Sequence, residues 1–296
     1  MCRLALMNRE AIALLGTDLA NLFHFLETSM GGHGNGIAAL WSQTKEVKMN
    51  KGLTFSTAQA AAKAHTYVRE GADWLLFHTR LATSGGKTSA NCHPFKSGQL
   101  VLAHNGHSWT WDQLGTSLGI SDSECITQAW ARLRIPVSAL KEADGVFVGF
   151  RAGSPFVVKG RAFDDLTVSV HEGTGAVLFA SELEGPARRH FDQTVEIGRF
   201  LWSGGPLNIR KIEQRRDDFL YYRYTRATSQ AMSLSGLETV TTSTTASLAS
   251  DKDEETPAER KVASEISLAD LREFYQRQEQ EATSASTQVP SSVSEE

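Results

Sequence analysis

Residues 73–86 read DWLLFHTRLATSGG. The first half is an apolar, β-forming run through Trp74, Leu75, Leu76 and Phe77, and the second half is a polar cluster, His78-Thr79-Arg80, that runs into the glycine loop Ser84-Gly85-Gly86. Residues 99–106, QLVLAHNG, repeat the design, with an apolar strand closing on Asn105-Gly106. Loops at strand ends, held by a rigid scaffold, are where sites tend to be built. Further strand candidates are 36–41, 145–153, 155–160, 166–173 and 176–182. Helical spacing of apolar residues marks Glu10–Thr28 (Ile12, Leu15, Leu19, Leu22, Phe23), and similar patterns mark Thr57–Glu70 and Ser123–Arg134. Runs of strands broken by a few helices predict an α+β or layered αβ domain. No repeat of fixed period is present.

Composition narrows the class. The chain has 296 residues, 41% hydrophobic and 22% charged, which suits a soluble protein with a real core and excludes a wholly disordered chain, a collagen and a disulfide mini-protein. The net charge of -4 lacks the basic excess of a phosphate-tracking protein, so no direct nucleic-acid binding is expected. No apolar run reaches the roughly 18–20 residues of a membrane span, and the N-terminus lacks the basic-then-apolar layout of a signal peptide. Three cysteines, Cys2, Cys92 and Cys125, are too few and too odd for a disulfide framework. The expected compartment is the cytoplasm.

The balance of the chain shifts near residue 226. Residues 226–296 are rich in Ser and Thr and carry 13 Asp/Glu against 6 Lys/Arg, whereas the residues before them carry 21 against 24. A domain over 2–225 and a mostly disordered acidic tail over 226–296 are therefore expected, since the tail has too little apolar surface to offset its ordering entropy. Within the tail, Ser267 and Asp270 resemble a capping box, and Leu268, Leu271, Phe274 and Tyr275 fall at helical spacing. A helix over 268–281 is expected there, either as a solvated helix or as a docking helix for a partner.

Several residues carry chemistry. Cys2 follows the initiator Met, and removal of Met1 would leave a thiol and a free α-amine on one residue. The amine titrates near pH 8 and can serve as base for the thiol nucleophile. Arg80 offers a planar donor fork for a carboxylate, or a surface ion pair. Asn105 and Gly106 offer a side-chain amide and an unobstructed backbone N–H for an oxyanion, or a hairpin turn. Asp122, in Ser121-Asp122-Ser123-Glu124, offers a counter-charge for an amine, or helix capping. His78, His93, His104 and His107 invite a zinc reading, yet neither HExxH nor a paired CxxC is present, and no metal or cofactor is expected. Cys92 and Cys125 read as a loop thiol and a buried helix residue.

Taken in order, Met1-Cys2-Arg3-Leu4, GGHGNGIAAL (31–40), HTRLATSG (78–85), NCHPF (91–95), LAHNG (102–106), SDSE (121–124) and RAGSPFVV (151–158) resemble the class II glutamine amidotransferases, which are N-terminal-nucleophile hydrolases. The resemblance covers roughly residues 2–215 and looks closest to the stand-alone members. It implies a four-layer αββα sandwich. It implies Cys2 as nucleophile, Asn105 and Gly106 as oxyanion hole, Arg80 on the glutamine α-carboxylate, Thr83 as a further substrate contact in the same motif, and Asp122 on the α-ammonium. His93 falls where the family has a residue near the site entrance. The implied activity is glutaminase, releasing ammonia from L-glutamine for a separate acceptor enzyme, because no acceptor-transforming domain follows. The alternatives are a γ-glutamyl amide hydrolase on the same fold and a catalytically silent interaction module. One departure stands out. Several relatives have an Arg-Gly pair where this chain reads Met30-Gly31-Gly32-His33-Gly34-Asn35-Gly36. That loop is no dinucleotide fingerprint, because a strand follows it instead of preceding it.

Overall fold

The apolar runs of the sequence become the central strands of two sheets. In a computed structural model the described residues are 2–83, 86–160, 165–207, Ile209 and Ile212. The expected boundary near 225, the acidic tail and the 268–281 helix lie outside them. The strands are β1 (Arg3–Asn8), β2 (Asn35–Trp41), β3 (Glu46–Gly52), β4 (Trp74–Thr79), β5 (Phe95–Ser97), β6 (Leu100–Asn105), β7 (Val146–Arg151), β8 (Ser154–Lys159), β9 (Thr167–His171), β10 (Ala176–Ala180), β11 (Gln193–Glu196) and β12 (Phe200–Trp202). The helices are α1 (Arg9–Leu15), α2 (Asp18–Met30), α3 (Thr57–Arg69), α4 (Trp109–Leu118), α5 (Asp122–Arg132) and the short α6 (Gly185–Arg188), with a 3-10 turn at Val137–Glu142. One sheet has the order β11-β9-β10-β1-β4-β2-β3 and the other β12-β8-β7-β6-β5. All pairings are antiparallel.

Three buried clusters define four layers. Met7, Leu75 and Phe77 point from the larger sheet onto Leu19, Phe23 and Ala64 of α2 and α3. Phe23 and Phe77 stack with centroids 4.0 Å apart. Leu4, Leu6 and Leu76 point the other way, onto Val101, Val148 and Val157 of the smaller sheet. Leu102, Phe147 and Phe156 then face Ile126 and Trp130 of α5 and Leu114 of α4. Strand side chains alternate between faces, so a strand covered on both faces must be apolar at nearly every position. The order helix layer, sheet, sheet, helix layer is the αββα sandwich that the resemblance implies.

Local signals place the helix ends. Ser56 and Gln59 form a capping box at the start of α3, and Asn8 caps α1 by accepting from Ala11 N–H at 3.0 Å. The single helix expected over Glu10–Thr28 is two, because Gly16 adopts φ +52° and ends α1 with its N–H on the Ile12 carbonyl at 3.1 Å. Strands β1, β3, β5, β11 and β12 escaped the pattern reading, as did helices α4 and α6. β1 is a short run at the chain start, β5, β11 and β12 are only three or four residues long, and β3, EVKMNKG, is a polar edge strand whose side chains alternate between exposed and half-buried.

Candidate active site

Cys2 enters at the start of β1, in the layer between the two sheets. Arg80 follows β4, the neighbour of β1 in the same sheet, with Arg3 paired to Thr79. Asn105 ends β6 in the opposite sheet. The site therefore straddles both sheets at one end of the sandwich. The Cys2 backbone N–H donates to Asn105 Oδ1 at 2.9 Å. The Leu81 N–H donates to the Cys2 sulfur at 3.4 Å, and the thiol lies 3.6 Å from the Leu81 carbonyl oxygen. Cys2 is buried, and burial is the main reason its thiol is pushed above the ordinary value, against the lowering effect of the Leu81 contact and the Arg80 charge.

Asn105 is wholly buried, and its side-chain Nδ2 has no partner among the described residues. Its Oδ1 is taken by Cys2, so the amide is oriented and its N–H2 remains to be used. An unmet buried donor costs about 1–3 kcal/mol, which native structures rarely keep without a use. Gly106 follows with φ +152°, and a Cβ there would lie 2.6 Å from His104 Nε2 and 2.8 Å from Gly145 Cα. Only glycine fits. Asn105-Gly106 is thus not a hairpin turn: the chain leaves it for α4.

The glycine-rich loop before β2 braces this site. The Arg80 N–H donates to the Gly34 carbonyl at 2.9 Å, the His33 N–H donates to the Arg80 carbonyl at 2.8 Å, and the Ala82 N–H donates to His33 Nδ1 at 2.9 Å. Together these hold the turn that brings Leu81 to Cys2. A side chain at Gly36 would collide with the His93 carbonyl, so the start of β2 packs directly on the NCHPF segment. Lys51 clamps that segment by donating from Nζ to the Ala90 and Cys92 carbonyls at 3.0 and 2.6 Å. His33 and Lys51 were missed as supports, although His33 stands within the quoted HGNG stretch.

Arg80 is buried and donates from Nη1 to the Gly86 carbonyl at 2.9 Å, so it is no surface ion pair. Thr83 is exposed on the loop beyond it. Asp122 opens α5 and is buried. Its Oδ1 accepts from Ser123 N–H at 2.7 Å, and its Oδ2 accepts from Ser108 N–H at 3.1 Å. Ser121 supplies the cap, accepting from Glu124 N–H at 3.2 Å.

His93 is not at an exposed entrance. It is 4% exposed, stacks on His78 at 4.0 Å and meets Phe95 edge-on at 4.7 Å. Both its ring nitrogens are without partners among the described residues, and burial drives its pKa well below the ordinary value. His78 is likewise pushed down by burial, to about 3. Its position on β4, two residues after Leu76, directs it into the layer between the sheets. Among the described residues no group of three His, Cys, Asp or Glu is placed to hold a metal ion. Cys92 and Cys125 are buried, and burial raises the Cys125 thiol to about 12. Among the described residues no helix is long and apolar enough to cross a membrane.

No protein-family model matches the sequence, and no curated protein matches it. Among solved structures, the chain aligns with one described as the allosteric regulatory enzyme of purine biosynthesis, at 20% identity and a TM-score of 0.44, over 71% of this chain and 50% of that one. It also aligns with a glutamine aminotransferase class-II domain protein from Silicibacter pomeroyi, at 12% identity and a TM-score of 0.38, over 69% of this chain and 100% of that one. The chain thus spans half the length of the first.

Proposed function

We propose that this chain is an amide hydrolase with an N-terminal cysteine nucleophile, acting on the side-chain amide of L-glutamine and releasing ammonia for a separate acceptor enzyme. The observation that carries the reading is the pairing of Cys2 with Asn105: the amide oxygen is held by the backbone of the nucleophile, and the amide nitrogen is left as a buried, unused donor. The αββα frame and the ordered motifs of the sequence support the same reading.

After removal of Met1 the Cys2 nitrogen is an amine, anchored through Asn105 Oδ1. Its lone pair takes the thiol proton, which matters because burial keeps that thiol protonated. The sulfur attacks the amide carbon, and Asn105 Nδ2 and the Gly106 N–H receive the oxyanion. The ammonium form of the amine returns the proton to the departing nitrogen, the C–N bond breaks and ammonia leaves. Water adds to the γ-glutamyl thioester, giving its proton to the amine. Collapse of that adduct breaks the C–S bond, and the sulfur recovers the proton as glutamate departs. Arg80 and Asp122 are assigned to the carboxylate and ammonium of the amino acid, with Thr83 on the Arg80 side. Holding both charges fixes the amide against the sulfur.

The test is ammonia release from glutamine by the full chain, with intact mass reporting loss of Met1 and a diazo-ketone glutamine analogue reporting adduct formation at Cys2. Processed protein that labels at Cys2 and releases ammonia is the expected result. Retained Met1 with no labelling would overturn the reading. Faster cleavage of γ-glutamyl amides than of glutamine would move the assignment to that substrate class.

A further inference from the structure

His104 takes no part in the steps above. It is buried on β6 directly before Asn105, and its ring lies on the opposite face of the strand, flat against Phe147 with centroids 4.4 Å apart. Its ring nitrogens reach two separate segments, the bend before β7 and the start of α5. Nε2 lies 3.2 Å from the Asp144 carbonyl oxygen. A carbonyl can only accept, so Nε2 carries the proton; with one proton on the ring, Nδ1 is a lone pair. Nδ1 lies 3.1 Å from the Ser123 hydroxyl. That hydroxyl also lies 3.2 Å from Asp122 Oδ1.

The Ser123 hydroxyl has one proton and two claimants, an imidazole lone pair and a carboxylate. If the proton points at His104, Asp122 Oδ1 keeps only the Ser123 backbone N–H, and the carboxylate retains capacity for another donor. If it points at Asp122, part of that capacity is spent within the protein. The backbone of His104 is fixed as well, because His78 Nε2 donates to its carbonyl at 3.3 Å. We propose that His104 is a positioning residue that holds the Ser123 hydroxyl off Asp122, so that the carboxylate stays open to the ammonium group of an amino-acid ligand. This rests on the assignment of Asp122 to that ammonium.

The test uses substrates with and without the ammonium: glutamine and the monoamide of glutaric acid. His104→Phe keeps a ring on Phe147 and frees the hydroxyl. Loss of about one hydrogen bond to a charged group predicts about a tenfold rise in KM for glutamine. KM for the monoamide should stay unchanged. The double variant His104→Phe/Ser123→Ala removes the hydroxyl and should restore most of the glutamine KM, a rescue that a purely structural role of His104 would not produce. Equal losses on both substrates, or no rescue, would overturn the proposal. A readout independent of turnover and of the variant's folding is the ring itself. Nitrogen-15 histidine spectra of the unsubstituted chain should show His104 as the Nε2–H tautomer, with Nδ1 shifting toward a free lone pair in Ser123→Ala. An Nδ1–H tautomer, or an indifferent Nδ1, would overturn the proposal. If the unsubstituted chain turns over neither substrate, the glutaminase reading fails, and the spectra still decide whether Ser123 serves His104.

Discussion

The two ends of β1 present opposite solutions in the same inter-sheet layer. At the Cys2 end the residues are polar, buried and partly unmatched: Asn105 Nδ2 has no partner, and neither nitrogen of His93 has one, among the described residues. At the Asn8 end an open cavity of about 770 Å³ lies among Trp74, Val170, Trp202 and Leu207. Its polar rim is content. Asn8 Oδ1 accepts from Ala11 and Val177 N–H groups at 3.0 and 2.9 Å, and its Nδ2 donates to the Gly175 carbonyl at 2.8 Å. The difference teaches that room and readiness for chemistry are separate properties. A cavity with satisfied walls offers volume. A crowded end with oriented, unspent donors offers free energy to whatever ligand supplies the missing partners.

The comparison breaks most decisively at Cys2. Cys2→Ala is expected to abolish ammonia release, by more than about 10³-fold in kcat, with little change in melting temperature. Residual activity near that of the unsubstituted chain would remove the mechanism. Asn105→Ala is next, with an expected loss of about 10²–10³ in kcat measured at saturating glutamine. A change confined to KM would show that Asn105 binds substrate without serving the oxyanion.

Acid should undo the Cys2 end first. His78 and His93 are neutral in the folded state, with pKa values lowered by burial, to about 3 for His78. Below the unfolded value near 6.5 the unfolded chain binds more protons than the folded one. Stability is therefore intact above that pH and falls as the pH drops toward the folded values. Each histidine contributes a slope of up to about 1.4 kcal/mol per pH unit in that window. Chemical denaturation of the unsubstituted chain and of His93→Gln at pH 7 and 5 checks this, and the variant should lose less on acidification. Equal losses would mean that His93 does not contribute to the acid sensitivity.

The smallest effect belongs to the other end. Asn8→Ala removes a helix cap and should cost about 1 kcal/mol of stability, read by denaturant unfolding, with kcat unchanged. A large loss of activity there would show that the two ends are coupled.

Much of the frame was legible in the sequence. The seven strand candidates, 36–41 through 176–182, all became strands, because a strand covered on both faces must be apolar throughout and such runs are conspicuous. The strand endings at His78-Thr79-Arg80 and Asn105-Gly106 were equally visible, since polarity replaces apolarity within one residue. The edges were harder. Strand β3 is held by pairing with β2 at the sheet edge, where only alternate side chains such as Val47 and Met49 are half-buried, so its sequence carries a weak pattern. The break between α1 and α2 turned on one glycine in an otherwise continuous helical pattern.

The residue types of the site were also readable, but not their partners. The motif order drew attention to Cys2, Arg80, Asn105, Gly106 and Asp122. It could not say that Asn105 Oδ1 faces the Cys2 nitrogen across 103 positions of chain, or that His33 holds the Leu81 turn from 49 positions away from Ala82. His93 shows the limit most plainly: the family resemblance puts it near the site entrance, yet it is stacked on His78 in the interior. By itself, then, the sequence pattern determined the α+β class and the chemical repertoire, because burial on one or two faces writes a period into the chain, while the four layers were implied only by the family resemblance. The tertiary structure decided which donors are spent and which remain free, because hydrogen-bond partners come from strands of different sheets that no local pattern connects.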